Sequence, residues 1–249
     1  MCSRRIVIWD LIFGYLNIWK NHVIKLVNKK IYSKDIELSL IDSVAVDKLK
    51  DILLDLSEVG IDTILNNDLI KSIPIVGIIS KIYGATVSVR EHIFLRKVLS
   101  FLSETSNSSD EDRKNFLTKI SRTKGLKEKI ASSLLLRLDR LDDMDKPKLI
   151  GRIYTAHILE KISLDEMNRF TMIVDNLYLP DLIQLAKLNE GDHIDDISGY
   201  YCNILGIAKM TGIDLGSLDG IGGETWFEIN ELGNKFLSAV FSNQDAKIS

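Results

Sequence analysis

The chain has 249 residues, 45% apolar and 27% charged, with three prolines, two cysteines and a formal net charge of −3. A chain of this length buries about 70 to 75% of its unfolded surface on folding, so it needs neither a disulfide nor a structural metal to hold it. Cys2 and Cys202 form no metal-type spacing and are too few for a disulfide framework, which excludes a stapled secreted scaffold and points to a reducing, cytoplasmic setting.

The charge is uneven. Residues 1–34 carry seven Lys and Arg against Asp10 alone, a leader of +6 ahead of a remainder of −9. Asp10 interrupts its apolar run and no small-residue cleavage site follows, which argues against a secretory signal, and the run is too short to span a bilayer. Three readings stand. The leader is a basic amphipathic helix touching an anionic membrane surface through Trp9, Phe13, Trp19, Lys20 and Lys25, or a helix capping the body, or an extension ahead of a start further downstream.

From Asp35 onward the apolar spacing is helical. Leu38, Ile41, Val44, Leu49, Ile52, Leu53 and Leu56 mark one helix that Gly60 ends. Asp62 caps a short helix through Lys71, and Pro74 opens a helix that runs to about Ser103, where TSNSSD makes a loop. Ser108 with Glu111 and Ser163 with Glu166 read as capping boxes. Helices are expected near 109–122, 125–142 and 146–161, the last capped by Asp145 with Pro147 in its first turn, then over 164–178, with Pro180 starting one more. NEGDH reads as a linker. Residues 194–206 form a helix ending at Gly206, IAKMTGI and TWFEI form two strands joined by DLGSLDGIGGE, and Asn230 caps a last helix through Val240.

The expected fold is therefore mainly α: a multi-helix bundle over 36–188 with a small C-terminal α+β winged-helix-like module over 194–241. Residues 1–34 form the basic leader and 242–249 a tail.

Chemical signatures are few. Gly216, Gly220, Gly222 and Gly223 join two strands rather than a strand and a helix, and Asp214, Asp219 and Glu224 among them repel phosphate, so the loop is a hairpin rather than a phosphate cradle. Residues 190–249 hold three basic and ten acidic residues, the wrong sign for nucleic acid and a better match to a protein contact or dimerising role. Asp139, Asp142 and Asp143 share a predicted helix face but lack the glycine a calcium loop needs. Asp192, His193, Asp195 and Asp196 are a richer candidate metal cluster, equally explained as a solvated linker. His157 reads as a hydrogen-bonded core histidine. Neither a nucleophile context nor a cofactor motif is visible, so no enzyme activity, metal or cofactor is expected.

The stretch SIPIVGIISKIYGATVSV raises the membrane question. On one continuous helix over 75–93, Ile75, Ile78, Ile79, Ile82, Val89 and Ile93 make a narrow apolar stripe. Gly77, Ser80, Gly84 and Ser88 lie opposite, with small residues spaced to let a second helix approach closely, and Lys81 shares that side. Such a two-sided helix fits the core of a soluble bundle better than a constitutive span, and conditional insertion remains the competing reading.

The stretch LSEVGIDTILNNDLIKSIPIVGIISKIYGATVSVREHIFLRKVLSFL and the region KPKLIGRIYTAHILEKISLDEMNRF resemble uncharacterised bacterial helical proteins of phage-defence type. The tail, YYCNILGIAKMTG to TWFEINELGNKFL, resembles the ending of the Abi-alpha abortive-infection proteins over about 40 residues: Leu232, Gly233 and Phe236 fit, while Ile229 and Asn230 stand where leucine and threonine are usual. The resemblance implies a bacterial defence setting and transfers no reaction or site residue. The resulting expectation is a non-enzymatic bacterial protein of the phage-defence type. It acts through a protein partner or self-association, with conditional membrane association through helix 75–93, and it resides in the cytoplasm, peripheral to the inner membrane. The alternative is a soluble adaptor or scaffold without a membrane role, and a metal-dependent enzyme around Asp192 to Asp196 is a distant third.

Overall fold

A computed structural model of the chain describes residues 34–54, 67–83, 88–188, 194, 196–213 and 225–241. Twelve helices and two strands are found among them, so the chain is mainly helical with a small antiparallel sheet near its C-terminus.

Helix α1, Lys34–Ser43, buries Ile36, Leu40 and Ile41 against α4, Pro74–Tyr83, and α7, Leu126–Arg140. Its last serine ties α1 to α4: Ser43 Oγ donates to Ser39 O at 2.7 Å and accepts from the Ile75 N–H at 3.0 Å. The single helix expected over 38–56 is not formed. After a turn in which Lys48 takes φ 53°, the separate helix α2, Leu49–Leu54, begins. The cause is tertiary. Helix α6, Asp110–Arg122, holds the turn, since Asp110 Oδ2 accepts from the Lys48 N–H at 2.9 Å and Arg113 donates to Val46 O at 3.1 Å. Gly60 and Asp62, expected to end and start helices, lie outside the described residues.

Asn67 caps α3, Asp68–Lys71, and Pro74 opens α4 as expected. Helix α5 runs Val89–Thr105 behind a capping box of Ser88 and Glu91. It crosses α8, Lys146–Ile158, where Gly151 permits close approach: a Cβ there would stand 2.6 Å from Phe101 O. Phe101 and Tyr154 meet edge to face at 5.1 Å beside this crossing, the geometry aromatic pairs prefer.

The remaining caps partly match expectation. Ser163 and Glu166 form the predicted box ahead of α9, Leu164–Asn176, and α10 runs Leu179–Leu185. Helix α6 starts one residue later than expected: Ser109 accepts from the Asp112 N–H, while Ser108 Oγ donates back to Thr105 O at 2.7 Å. Asp145 stands at the cap position of α8 without a side-chain bond to the helix, its carboxylate 3.3 Å from Lys148 Nζ.

At the C-terminal end α11, Asp196–Ile204, is followed by Gly206 at φ 78°, a conformation glycine adopts without penalty. Strands β1, Ala208–Ile213, and β2, Thr225–Ile229, pair antiparallel with Ala208 opposite Ile229 and Ile213 opposite Thr225, and an irregularity between Met210 and Gly212. Ile194 bridges the other edge of β2, its N–H donating to Phe227 O at 3.0 Å. Asn230 caps α12, Glu231–Val240, and its amide reaches back to Gly206 O at 3.0 Å. This unit is fastened to the helical body. Phe236 packs edge-on against Phe170 at 5.4 Å, Lys235 pairs with Glu166 at 2.6 Å and Arg152 donates to Val240 O at 3.0 Å.

Candidate interaction surface

The apolar stripe predicted from residues 75–93 does not survive as one face. Helix α4 is described to Tyr83, and Ser88, in extended backbone, caps a new helix, so Ile75 to Ile82 and Val89 to Ile93 belong to separate helices. Ile75 and Ile79 are buried and Ile78 and Ile82 half-buried in α4, whereas Val89 and Ile93 on α5 are 75% and 43% exposed. The expected single helix over 75–93 is thus corrected to two. Serine followed by glutamate three residues later starts a helix more strongly than periodicity continues one.

The small-residue groove separates in the same way. Gly77 faces the turn before its own helix, where a Cβ would stand 2.7 Å from Lys71 O. Ser80 Oγ is buried without a hydrogen-bond partner among the described residues, Ser88 is the α5 cap, and Gly84 lies outside the described residues. The close approach at Gly77 is therefore made by this chain itself. Among the described residues, no helix is long and apolar enough to cross a membrane.

The other sequence candidates resolve into structural roles. Helix α7 ends at Arg140, so Asp142 and Asp143 do not share a helix face with Asp139. Asp139 pairs with Arg90 at 3.0 Å, and Asp143 accepts from the Asp145 N–H at 2.7 Å. No group of three or more His, Cys, Asp or Glu side chains that could hold a metal occurs among the described residues. Asp192, His193 and Asp195 lie outside them, as do Gly216, Gly220, Gly222 and Gly223. His157 is half-buried, its Nδ1 2.9 Å from Ile162 O and its ring edge-on to Phe116, as a hydrogen-bonded core histidine should be.

An open cleft of about 590 Å³ lies between the C-terminal ends of α7 and α9, lined in part by Leu136, Arg137, Arg140, Met172 and Asp175. Arg137 pairs with Asp175, and Lys146 Nζ donates to Asp175 O at 3.3 Å. Burial pushes the Asp175 carboxyl up, against the opposing pull of Arg137. Nearby, burial pulls the Lys97 ammonium below the usual lysine range while Asp139 opposes it, and Lys97 donates to the carbonyls of Asp139 and Leu141. Lys97 and Lys146 satisfy open carbonyls at the ends of α7 and α9, where positive charge belongs, while Asp175 Oδ1 in the cleft is buried without a hydrogen-bond partner among the described residues.

The C-terminal unit presents a different surface. Of the sixteen exposed large apolar side chains among the described residues, six belong to it: Tyr200, Tyr201 and Ile204 on α11, Met210 and Ile213 on β1, and Trp226 on β2. The unit's inward side is satisfied by Phe227, Cys202, Phe236 and Val240, each at most 1% exposed. The sheet packs on α11 and α12, with Phe227 against Gly199 and Tyr200 of α11 and Trp226 on the opposite side of β2. Met210 and Ile213, paired with Phe227 and Thr225, lie on the Phe227 side, so exposed apolar side chains stand on both sides of the sheet. The exposed rings are held rather than loose. Tyr200 lies edge-on to Phe227 at 4.8 Å with its hydroxyl 3.1 Å from Thr225 Oγ1, and the Trp226 ring lies over Gly212, where a Cβ would meet it at 2.7 Å. Lys209 and Glu228, 3.5 Å apart, neutralise one another across the strands.

Sequence reasoning assigned this unit a contact role from its acidity and missed these six residues. The signal was there: TWFEI has Trp226 and Phe227 adjacent, and a lone hairpin cannot bury both. No family model, curated protein or solved structure matches the chain.

Proposed function

We infer that the protein is a non-enzymatic interaction protein that works by protein contact through the exposed apolar side chains of its C-terminal unit, in a bacterial setting of the phage-defence type. The observation that carries the contact role is the concentration of exposed aromatic and aliphatic side chains, Tyr200, Tyr201, Ile204, Ile213 and Trp226, on one small unit. Rigid amphipathic rings of this kind are enriched where proteins meet. The defence setting is supported by the Abi-alpha-like tail alone. Cytoplasmic residence peripheral to the inner membrane belongs to the same proposal.

The adaptor reading without membrane insertion is favoured by α4, whose Ile75, Val76 and Ile79 are at most 2% exposed. Inserting that helix into lipid means dismantling its packing on α1.

The test is phage challenge of bacteria expressing the chain or its Tyr201→Ser, Ile204→Ser, Ile213→Ser triple variant, with folding of the variant confirmed by thermal melting. Protection by the wild type and its loss in the variant is the expected result. Equal protection by both overturns the contact role, and absence of protection by the wild type overturns the defence setting.

A further inference from the structure

Residues 113–129, which complete α6, turn and start α7, carry seven Lys and Arg against Glu128 alone. Four of these cations are engaged within the protein: Arg113 is buried on Asp110, and Lys114, Lys119 and Lys127 pair with Asp47, Glu160 and Asp42. The other three are not. Arg122, Lys124 and Lys129 are exposed and enter no ion pair among the described residues, and the turn from Ser121 to Gly125 is exposed without a break. Lys129 stands in the first turn of α7, and helical side chains lean toward the helix N-terminus, so its stem extends back toward the turn. Like charges gathered in this way repel one another until an anionic partner relieves them.

The surroundings choose among anions. Beside the turn lies a shallow, open depression of about 370 Å³ lined by Leu117, Thr118, Ser121, Arg122 and Lys127. The Thr118 and Ser121 hydroxyls donate back to Lys114 O and Leu117 O at 2.9 and 2.7 Å, so neither has a proton to spare for a small bound anion. A nucleic acid strand asks for a long track of cations and for rings that stack on its bases. Phe116, the aromatic residue of this stretch, is 5% exposed. A layer of anionic headgroups asks for less: unpaired cations on an exposed turn, with apolar carbon such as Leu117 beside them.

We propose that the α6–α7 turn is the surface by which the protein rests on an anionic membrane, with Arg122, Lys124 and Lys129 among the lipid phosphates. This rests on the peripheral residence inferred above and names the side chains responsible. The contact is made by charge, so α4 keeps its packing on α1.

The test is flotation of the full chain with vesicles of phosphatidylglycerol and phosphatidylcholine in about equal parts, and with phosphatidylcholine alone. The wild type is compared with Arg122→Glu, Lys124→Glu, Lys129→Glu and with a control, Lys50→Glu, Lys148→Glu, Lys187→Glu, that reverses exposed lysines elsewhere. Thermal melting checks that each variant folds, and Arg122→Gln, Lys124→Gln, Lys129→Gln is the milder form. The wild type is expected to float with the anionic vesicles alone and to be released as salt goes from about 50 to about 500 mM. Each cation at an anionic surface is worth about fivefold in binding, so the turn variant binds about tenfold or more weakly, while the control still floats. Flotation of the turn variant equal to that of the wild type overturns the proposal and leaves peripheral residence standing. Equal loss in the turn variant and the control assigns binding to net charge and overturns it too. So does a turn variant that loses duplex DNA or RNA binding with its flotation unchanged. A wild type that floats with neither vesicle overturns peripheral residence itself, and the proposal with it.

Discussion

At the scale of single residues, two positions hold more of the structure than their size suggests. Gly151 sets the distance between the two central helices, because its absent Cβ is where Phe101 O and Glu104 Cβ, 2.6 and 2.7 Å away, already sit. Gly151→Ala is expected to lower the unfolding free energy by about 1 to 3 kcal/mol, as overpacking of a tight contact does, measured by urea titration. Arg113 is 1% exposed, donates to Ser108 O and Val46 O, and pairs with Asp110. Arg113→Met strands those acceptors and is expected to cost about 2 to 3 kcal/mol in the same titration. Neither role is written in local sequence. An arginine followed by lysine and asparagine reads as a solvated helix face, and only the fold places the Val46 carbonyl against it.

At the scale of elements, what the sequence announced by side-chain chemistry was legible and what it announced by periodicity alone was not. Ser163 with Glu166, Pro74 and Asn230 all mark helix starts that form, and Gly206 follows the end of α11. Two breaks went unread, at 44–48 and at Ser88, because apolar spacing runs straight across both. The second was signalled by Ser88 and Glu91, the same pattern as Ser163 and Glu166, but Ser88 was spent on a small-residue stripe. Ser88→Ala removes that cap and is expected to cost about 1 kcal/mol, seen as a lower melting temperature and faster amide exchange in the first turn of α5. The junction of α9 with α12 has a pH signature. The hydrogen bond from Lys235, joined by the Ser163 N–H, holds Glu166 down at about 2 instead of the ordinary 4.5. A carboxylate depressed in the folded state stabilises it above pH 4.5 and loses that contribution as pH falls toward 2. Lys235→Met, measured by melting at pH 5, 4, 3 and 2, is expected to flatten that part of the decline. An unchanged slope would show that the pair contributes nothing there.

At the scale of the whole molecule, the class of fold was readable because prolines are few and helical spacing persists, and the C-terminal hairpin because its strands are bounded by glycine and asparagine. The contact surface was not. How the C-terminal unit is seated depends on where Phe170, Arg152 and Glu166 stand, residues 66 to 88 positions from the α12 groups they hold. The same long reach governs the other end. The turn between α1 and α2 is fixed by Asp110 and Arg113, 62 and 67 positions after the backbone groups they bind. A ribosome releases the first helices well before that clasp exists, so Ile36, Leu40 and Ile41 emerge with nothing yet to bury them and depend on later sequence for shelter. The corner around Lys48 is thus closed only after residues 110–140 have followed it out, an interval in which Ile36, Leu40 and Ile41 lack their final packing.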